Sequence, residues 1–362
     1  MIEDIGYYVG FSFCQGIGPM KFHALISAFG SARDSYNASG TQIKYLLGQR
    51  LSEEFIAFRN RFNKEKIIND LIRKKIFPLC IDDPAYPLCL KNISDPPICL
   101  YIKGDWNKLQ FEKQVTISVV GTRKPTSYGQ QVARTLSMGL ASRGVLIISG
   151  MALGVDTIAH QAALTCNTPT IAVLGCGVDI IYPSVNRQLY FDIIKKGGVI
   201  LSEFPPGHTV LKGLFVARNR IISGLSKGIV VIEGASDSGA LITAKYAANQ
   251  GRSVFAPPSP ITSVMGDAPN ILLKQGAVFV TSVDDIFHEL NIPLKNIGKV
   301  ISQINLTDEE RGILELMKSE PASIDDMVEK TSFAVQTVLS ILSSLELKGI
   351  VERQDDGRYQ IQ

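Results

Sequence analysis

Two arginines bracketing an asparagine, Arg218-Asn219-Arg220, are the side chains of this sequence best suited to holding an anion. A guanidinium presents a planar fork of donors that matches a phosphate or carboxylate two bonds at a time. Phe215 precedes them and Ser223 follows, ahead of the apolar run Gly228 to Ile232. The stretch Phe215 to Ser226 reads as a short helix feeding a buried strand. The arginines then fall at a helix start, where unpaired N–H groups and partial positive charge add to their attraction for an anion. Solvation, or pairing with Glu203 or Glu233, explains the same two side chains equally well.

Donors of the same kind recur in four turns: Gly121-Thr122-Arg123-Lys124-Pro125, Ser149-Gly150 through Gly154-Val155-Asp156, Gly175-Cys176-Gly177, and Glu233 through Ser238, Gly239 and Thr243. Glycine lets a phosphate approach the backbone, and serine and threonine hydroxyls donate to it. One such turn is also what a tight strand-to-helix connection requires. Four of them, together with Arg123, Lys124, Arg218 and Arg220, favour an anion-binding cleft. The dinucleotide fingerprint is missing, since Gly175-Cys176-Gly177-Val178-Asp179-Ile180 lacks its third glycine and does not follow the first strand. No Walker phosphate loop is present either. Six cysteines without C-x-x-C spacing indicate neither a metal site nor a disulfide framework, so no cofactor and no metal is expected. Asp156 and His160 lie one helical turn apart and could act as an acid–base pair. With no nucleophile beside them they read more readily as a pair that orders a loop, and no catalytic residue is nominated.

These turns need strands to position them. Apolar runs at 115–120, 145–148, 170–174, 199–201, 229–232, 253–256 and 278–280 alternate with amphipathic helical segments. The pattern predicts an α/β fold: an extended Rossmann-like, doubly wound, mostly parallel sheet, in which ligands bind beyond the carboxyl ends of the strands. Residues 1–75 read as a helical module, with Gly16-Ile17-Gly18-Pro19 as a hairpin of the kind that can face a nucleic-acid backbone or simply join two helices. The proline-punctuated residues 76–104 open the Rossmann-like region, which runs to 290. Residues 291–304 read as a linker and 305–362 as three helices and a β-wing, the winged-helix pattern, with a capping box at Thr307 and Glu310. The presumed recognition helix, with Ser332, Gln336 and Thr337, has no basic residue before Lys348, which argues against strong duplex binding.

A chain of 362 residues with 37 basic and 34 acidic side chains, net charge +3 and mean hydropathy +0.14 is globular and not histone-like, although a local basic groove remains open to it. The start of the sequence lacks the pattern of a signal peptide and no apolar run reaches membrane-spanning length, so a cytoplasmic protein without membrane contact is expected.

The motifs together resemble the DNA processing protein A family (DprA, also called Smf) over nearly the whole chain. The residues that carry the resemblance are Tyr86-Pro87, Asp95-Pro96-Pro97, Gly121-Thr122-Arg123, Ser149 to Asp156 with Ala159-His160, Tyr182-Pro183, Ser202-Glu203, Arg218 to Ser226 and Ser238 to Thr243. The resemblance implies a helical, SAM or helix-hairpin-helix-like N-terminal module. It also implies a homodimeric protein of natural transformation that binds and protects incoming single-stranded DNA and helps load the RecA recombinase, without catalysis. The DNA contacts expected on this basis are Gly121, Thr122, Arg123, Lys124, Ser149, Gly150, Gly154, Phe215, Arg218, Asn219, Arg220, Ser223, Ser238, Gly239 and Thr243. Ile286, Phe287 and Leu290, at helical spacing near a sheet edge, are the expected dimer surface, the other reading being that they pack inside the monomer. The chain departs from the family pattern at Val216, Ala240, Ser259 and the inserted Ala268-Pro269, all near the cleft rim. The competing reading is a nucleotide-processing enzyme of the lysine-decarboxylase-like (LOG) type, which shares this sheet. Such an enzyme needs a carboxylate after the glycine-rich turn, where this chain has Leu241, Ile242, Thr243, Ala244 and Lys245.

Overall fold

The computed structural model describes residues 4–293, 307–317, 321–331, 333–347, 350–354 and 357–361. They fall into two compact units, within Met1–Leu294 and within Lys295–Gln362.

The first unit is built on a nine-stranded sheet of β1 (Phe77–Cys80), β2 (Cys99–Lys103), β3 (Thr116–Val120), β4 (Leu146–Ser149), β5 (Thr170–Val173), β6 (Val199–Ser202), β7 (Gly228–Val231), β8 (Ser253–Ala256) and β9 (Val278–Phe279). The spatial order is β1-β2-β6-β5-β4-β3-β7-β8-β9, parallel from β6 to β9, with β1 and β2 added antiparallel. β3 lies between β4 and β7, pairing Ile117 with both Ile147 and Gly228, so the direction of winding reverses at β3. The central strands are buried at every position because helices cover both faces. Helices α9 (Ser127–Ser142), α10 (Val155–Thr165) and α15 (Val283–Glu289) pack on Ile117, Val119, Ile147 and Val230. On the opposite face α12 (Lys212–Gly224), α13 (Gly239–Asn249) and α14 (Asp267–Lys274) pack on Val120, Ile148, Ile171 and Val231.

Helices α1 (Ile5–Phe13), α2 (Pro19–Phe29), α3 (Ala32–Asn37), α4 (Gly40–Leu47), α5 (Gln49–Arg61) and α6 (Lys64–Arg73) share a core with the sheet and with α11 (Arg187–Lys195). Phe11 stacks on Phe55, and Tyr8 donates to Asp82 at 2.6 Å just beyond β1. In the hairpin between α1 and α2, Lys21 Nζ donates to the carbonyl of Gly16 at 3.1 Å. Two short helices, α7 (Leu88–Lys91) and α8 (Trp106–Leu109), flank β2. No helix among the described residues is long and apolar enough to cross a membrane.

The second unit holds helices Asp308–Leu316, Ile324–Thr331 and Val335–Leu347 and an antiparallel pair, β10 (Val351–Arg353) and β11 (Tyr359–Ile361). Its core contains Ile313, Leu314, Met327, Val338, Leu342 and Leu345. The capping box forms, with Glu310 N donating to Thr307 Oγ1 at 3.2 Å and the Glu310 carboxylate accepting from Thr307 N at 3.0 Å. Ser332, Lys348 and most of the expected linker lie outside the described residues.

Two sequence expectations are corrected here. Helix α12 starts at Lys212, so Arg218 and Arg220 lie in its middle and the free N–H groups of a helix start are not theirs. Ile286 and Phe287 are not exposed: α15 packs against α9, burying both in the core shared with the sheet, while Leu290 is half-buried against the same cluster. Arg143 of α9 lies 5.4 Å over the Phe287 ring and pairs with Asp284, which holds α15 in this position.

Candidate functional site

The glycine-bearing turns after β3, β4, β5 and β7 do converge on one rim, because those strands run parallel and end together. Arg123 and Lys124 stand exposed on the β3 turn. The Arg123 guanidinium lies 5.7 Å over the half-buried ring of Phe215, and Phe215 in turn packs at 5.5 Å on Tyr182, which is partly open to solvent. These side chains, with Gly150, Ala152, Leu153 and Pro183, enclose a small cleft of about 50 Å³ floored by Arg218. Its volume suits one or two waters or a phosphate-sized group. Among the described residues no carboxylate forms an ion pair with Arg123 or Lys124, so both charges face solvent, that of Arg123 at the cleft.

Arg218 has a different task. It is only 5 % exposed, and its Nη1 donates to the carbonyls of Gly150, at 2.8 Å, and of Val173, bridging the ends of β4 and β5. A Cβ at Gly150 would lie 2.4 Å from that nitrogen, so a side chain there would displace the guanidinium. Asp156, in the first turn of α10, closes the same loop from the other side by accepting from Gly150 N at 3.0 Å and Ala152 N at 3.3 Å. Burial drives the Arg218 pKa down to about 10 against the pull of Asp156. Burial likewise raises the Asp156 carboxyl, opposed by Arg218 and the loop N–H groups. His160 does not touch this loop as an acid–base partner. Its Nδ1 bonds the Thr170 hydroxyl at 2.8 Å, and since that hydroxyl donates to Ile147 O at 2.7 Å, Nδ1 carries the proton. Burial, with Arg218 nearby, holds the ring neutral, its pKa lowered to about 3.

Arg220 is also inward, 4 % exposed. Its two terminal nitrogens each donate to one oxygen of Glu203 at 2.6 Å, and Nε reaches Asp95 Oδ2 at 2.8 Å. Burial works against the charged guanidinium, but Glu203 and Asp95 prevail and raise its pKa overall. A guanidinium committed to two carboxylates has no fork left for a phosphate. The pairing with Glu203 is the structural alternative that the sequence left open.

Three further nominated side chains are spent inside the fold. The hydroxyl of Ser149 donates to Val119 O at 2.7 Å, that of Ser223 to Gln250 Oε1 at 2.7 Å, and that of Thr243 to Gly239 O at 3.1 Å, all three residues being buried. They hold the turns in place and cannot donate outward as the sequence reading supposed. Ser238 caps α13 by accepting from Ala240 N at 3.2 Å, and Gly239 beside it is exposed. Asn219 ties α12 to that turn through Gly239 O at 3.5 Å. Gly121, Thr122 and Gly154 are half-buried at the junction of the β3 and β4 turns, where Val155 N donates to Thr122 O at 3.2 Å. Of the departures from the family pattern, Ala240, Ala268 and Pro269 are packed inside, whereas Val216 is exposed on α12.

Leu153 and Tyr182 line the site and were not among the expected DNA contacts, whereas Asp156, read from the sequence as ordering a loop, does so without His160. Tyr182-Pro183 carried a signal as a motif, and Asp156 as a carboxylate in a glycine-rich turn. Glu233, which the sequence offered as a possible partner of the arginines, has a different one. It follows β7, is 1 % exposed, and its carboxylate accepts from Thr126 N at 2.8 Å and Thr126 Oγ1 at 2.6 Å at the start of α9.

Comparison with known proteins sharpens this geometry. The profile of the DNA recombination-mediator protein A family matches residues 78–291, and that of the DprA winged helix domain matches residues 302–357. Protein Smf of Synechocystis is 35 % identical over 99 % of both chains. DNA processing protein DprA of Bacillus subtilis is 43 % identical over 60 % of this chain and 71 % of its own. The solved structure of DNA processing protein A from Streptococcus pneumoniae superposes with TM-score 0.70 at 32 % identity, covering 78 % of this chain and 97 % of that one. The Helicobacter pylori protein, reported for its single-stranded DNA binding mode, gives TM-score 0.53 at 32 % identity over 60 % of this chain and 96 % of its own.

Proposed function

Since the chain belongs to the DNA recombination-mediator protein A family, we propose that it binds single-stranded DNA along the rim formed by the β3, β4, β5 and β7 turns. The observation that carries this reading is the exposed, carboxylate-free cation Arg123 lying over the aromatic step of Phe215 and Tyr182, with exposed Lys124 next to it in the chain. Cations that track phosphates next to rings that can stack on bases are the combination single-strand binders use. Arg123, Lys124 and the exposed backbone at Gly239 make the contacts in this account. Arg218, Asp156 and Arg220 hold the turns that present them.

The protein acts by binding, not by catalysis: as a homodimer it shields an incoming strand and passes it to the RecA recombinase. In this reading residues 1–75, 76–290 and 305–362 serve as helical, DNA-binding and winged-helix modules. The test is a fluorescence anisotropy titration of labelled single-stranded and duplex oligonucleotides, with mononucleotide as competitor and nucleotide hydrolysis monitored in parallel. Preference for the single strand, undisturbed by mononucleotide, is expected. Equal or stronger duplex binding, or turnover of the nucleotide, would refute the proposal.

A further inference from the structure

In doubly wound sheets the diphosphate of a nucleotide sits where the winding reverses, at the N-terminus of the helix that follows the first parallel strand. Here that place is the β3–α9 turn, between β3 and β7, and α9 is a full 16-residue helix. It is filled from within. Glu233 enters from the end of β7, and its carboxylate takes the N–H and the hydroxyl of Thr126, while the Thr126 hydroxyl accepts from Gly129 N at 3.1 Å to cap the helix. The Glu233 carbonyl also accepts from Thr122 N at 2.7 Å, which fixes its backbone to the same turn. A Cβ at position 129 would fall 2.0 Å from Glu233 Oε2, so the helix start is shaped around this carboxylate.

We infer that Glu233 is a specificity-determining residue: its carboxylate stands in the place of a nucleotide's phosphate and closes this fold's diphosphate site to free nucleotides. The ligand class excluded is the phosphoanhydride of mono- and dinucleotides. A second anion would meet a buried carboxylate, and repulsion at that range without water is severe. The cations of the rim are then left to a polymeric phosphate chain that approaches from solvent. The inference does not rest on the single-strand reading, since it follows from the β3–α9 turn alone.

The experiment compares the parent chain with Glu233→Ala, Glu233→Ser and Glu233→Gln, using sodium pyrophosphate as the probe in thermal unfolding and calorimetry. Glutamine fills the same space and can still accept from Thr126 N, so it should behave as the parent, with no detectable binding. The alanine and serine variants open the helix start and should bind pyrophosphate. At about 100 times the dissociation constant the folded-to-unfolded ratio should rise about 100-fold, read as a rise in melting temperature. Two smaller replacements are used so that poor folding of one leaves the other to decide. Absence of a pyrophosphate effect in both variants, or an equal effect in the parent, would overturn the inference. Single-strand affinity is measured on the parent in the same series, as a readout separate from pyrophosphate binding. A loss of that affinity in the parent itself would sink the proposed function without bearing on Glu233.

Discussion

Replacing Arg220 by methionine separates a structural arginine from a phosphate-binding one. The substitution keeps the length of the aliphatic stem and deletes the guanidinium that neutralises Glu203 and Asp95. The Glu203 side chain is 13 % exposed and would be stranded in the interior, whereas Asp95, at 37 %, can turn to water. Removing one partner of a buried pair costs about 3–5 kcal/mol, and the lower end applies because only one of the two carboxylates is trapped. At roughly 2–4 °C per kcal/mol for a domain of this size, the melting temperature should fall by about 6–12 °C. Removing the stranded charge as well, in Arg220→Met with Glu203→Leu, should restore most of the loss, since an apolar pair in place of a buried ion pair is often neutral. The assay is thermal and urea unfolding of the parent, single and double variants, with single-strand affinity measured on the folded samples. An Arg220→Met chain of unchanged stability whose DNA affinity loses part of its salt dependence would show that the arginine reaches DNA, and the assignment here would be wrong.

Acid should destabilise the fold through His160. Its folded pKa, about 3, lies below the ordinary value of 6.5, so its contribution is intact above pH 6.5 and declines as the pH falls from there toward 3. The decline approaches at most about 1.4 kcal/mol per pH unit, and urea unfolding of the parent against His160→Asn, which retains a donor near the Nδ1 position, should show a shallower acid slope in the variant. Phe287→Arg should yield insoluble or unfolded protein instead of a folded monomer, because it places a charge in the core between α15 and α9; a soluble variant with parental stability by calorimetry would contradict that burial. Deleting residues 300–362 should change single-strand affinity by less than about threefold if the rim supplies the phosphate contacts, and a larger loss in a titration of the truncated chain would move the DNA site to the winged-helix unit.

The parallel sheet was legible because its strands are short apolar runs between amphipathic helices, and the four turns converge as a direct consequence of parallel pairing. The start of α12 was not legible. Its N-cap is Leu211, which makes no side-chain cap, and Gly213 sits in the first turn, so the usual signals of a helix start are missing and Arg218 was placed too near the helix N-terminus. Which arginine faces solvent depends on contacts far apart in sequence. Arg220 meets Asp95 across 125 residues, Arg218 meets Gly150 across 68, and Glu233 meets Thr126 across 107. No local pattern encodes such meetings; they exist only once β4, β5 and β7 have taken their places in the sheet. The stripe Ile286, Phe287, Leu290 left two readings open, a dimer surface and packing inside the monomer, because periodicity reports an apolar face without naming what covers it, and here α9 covers it.

The central claim is that the exposed rim cations, and not the buried arginines, meet the phosphates. It is tested most directly by the dependence of single-strand affinity on salt for the parent, Arg123→Ala, Lys124→Ala and Arg220→Met. The log–log slope should flatten by about 0.7 for each rim cation removed, while Arg220→Met keeps the parental slope in spite of its lower melting temperature. Parental slopes in both rim variants, with a flattened slope in Arg220→Met, would contradict the account.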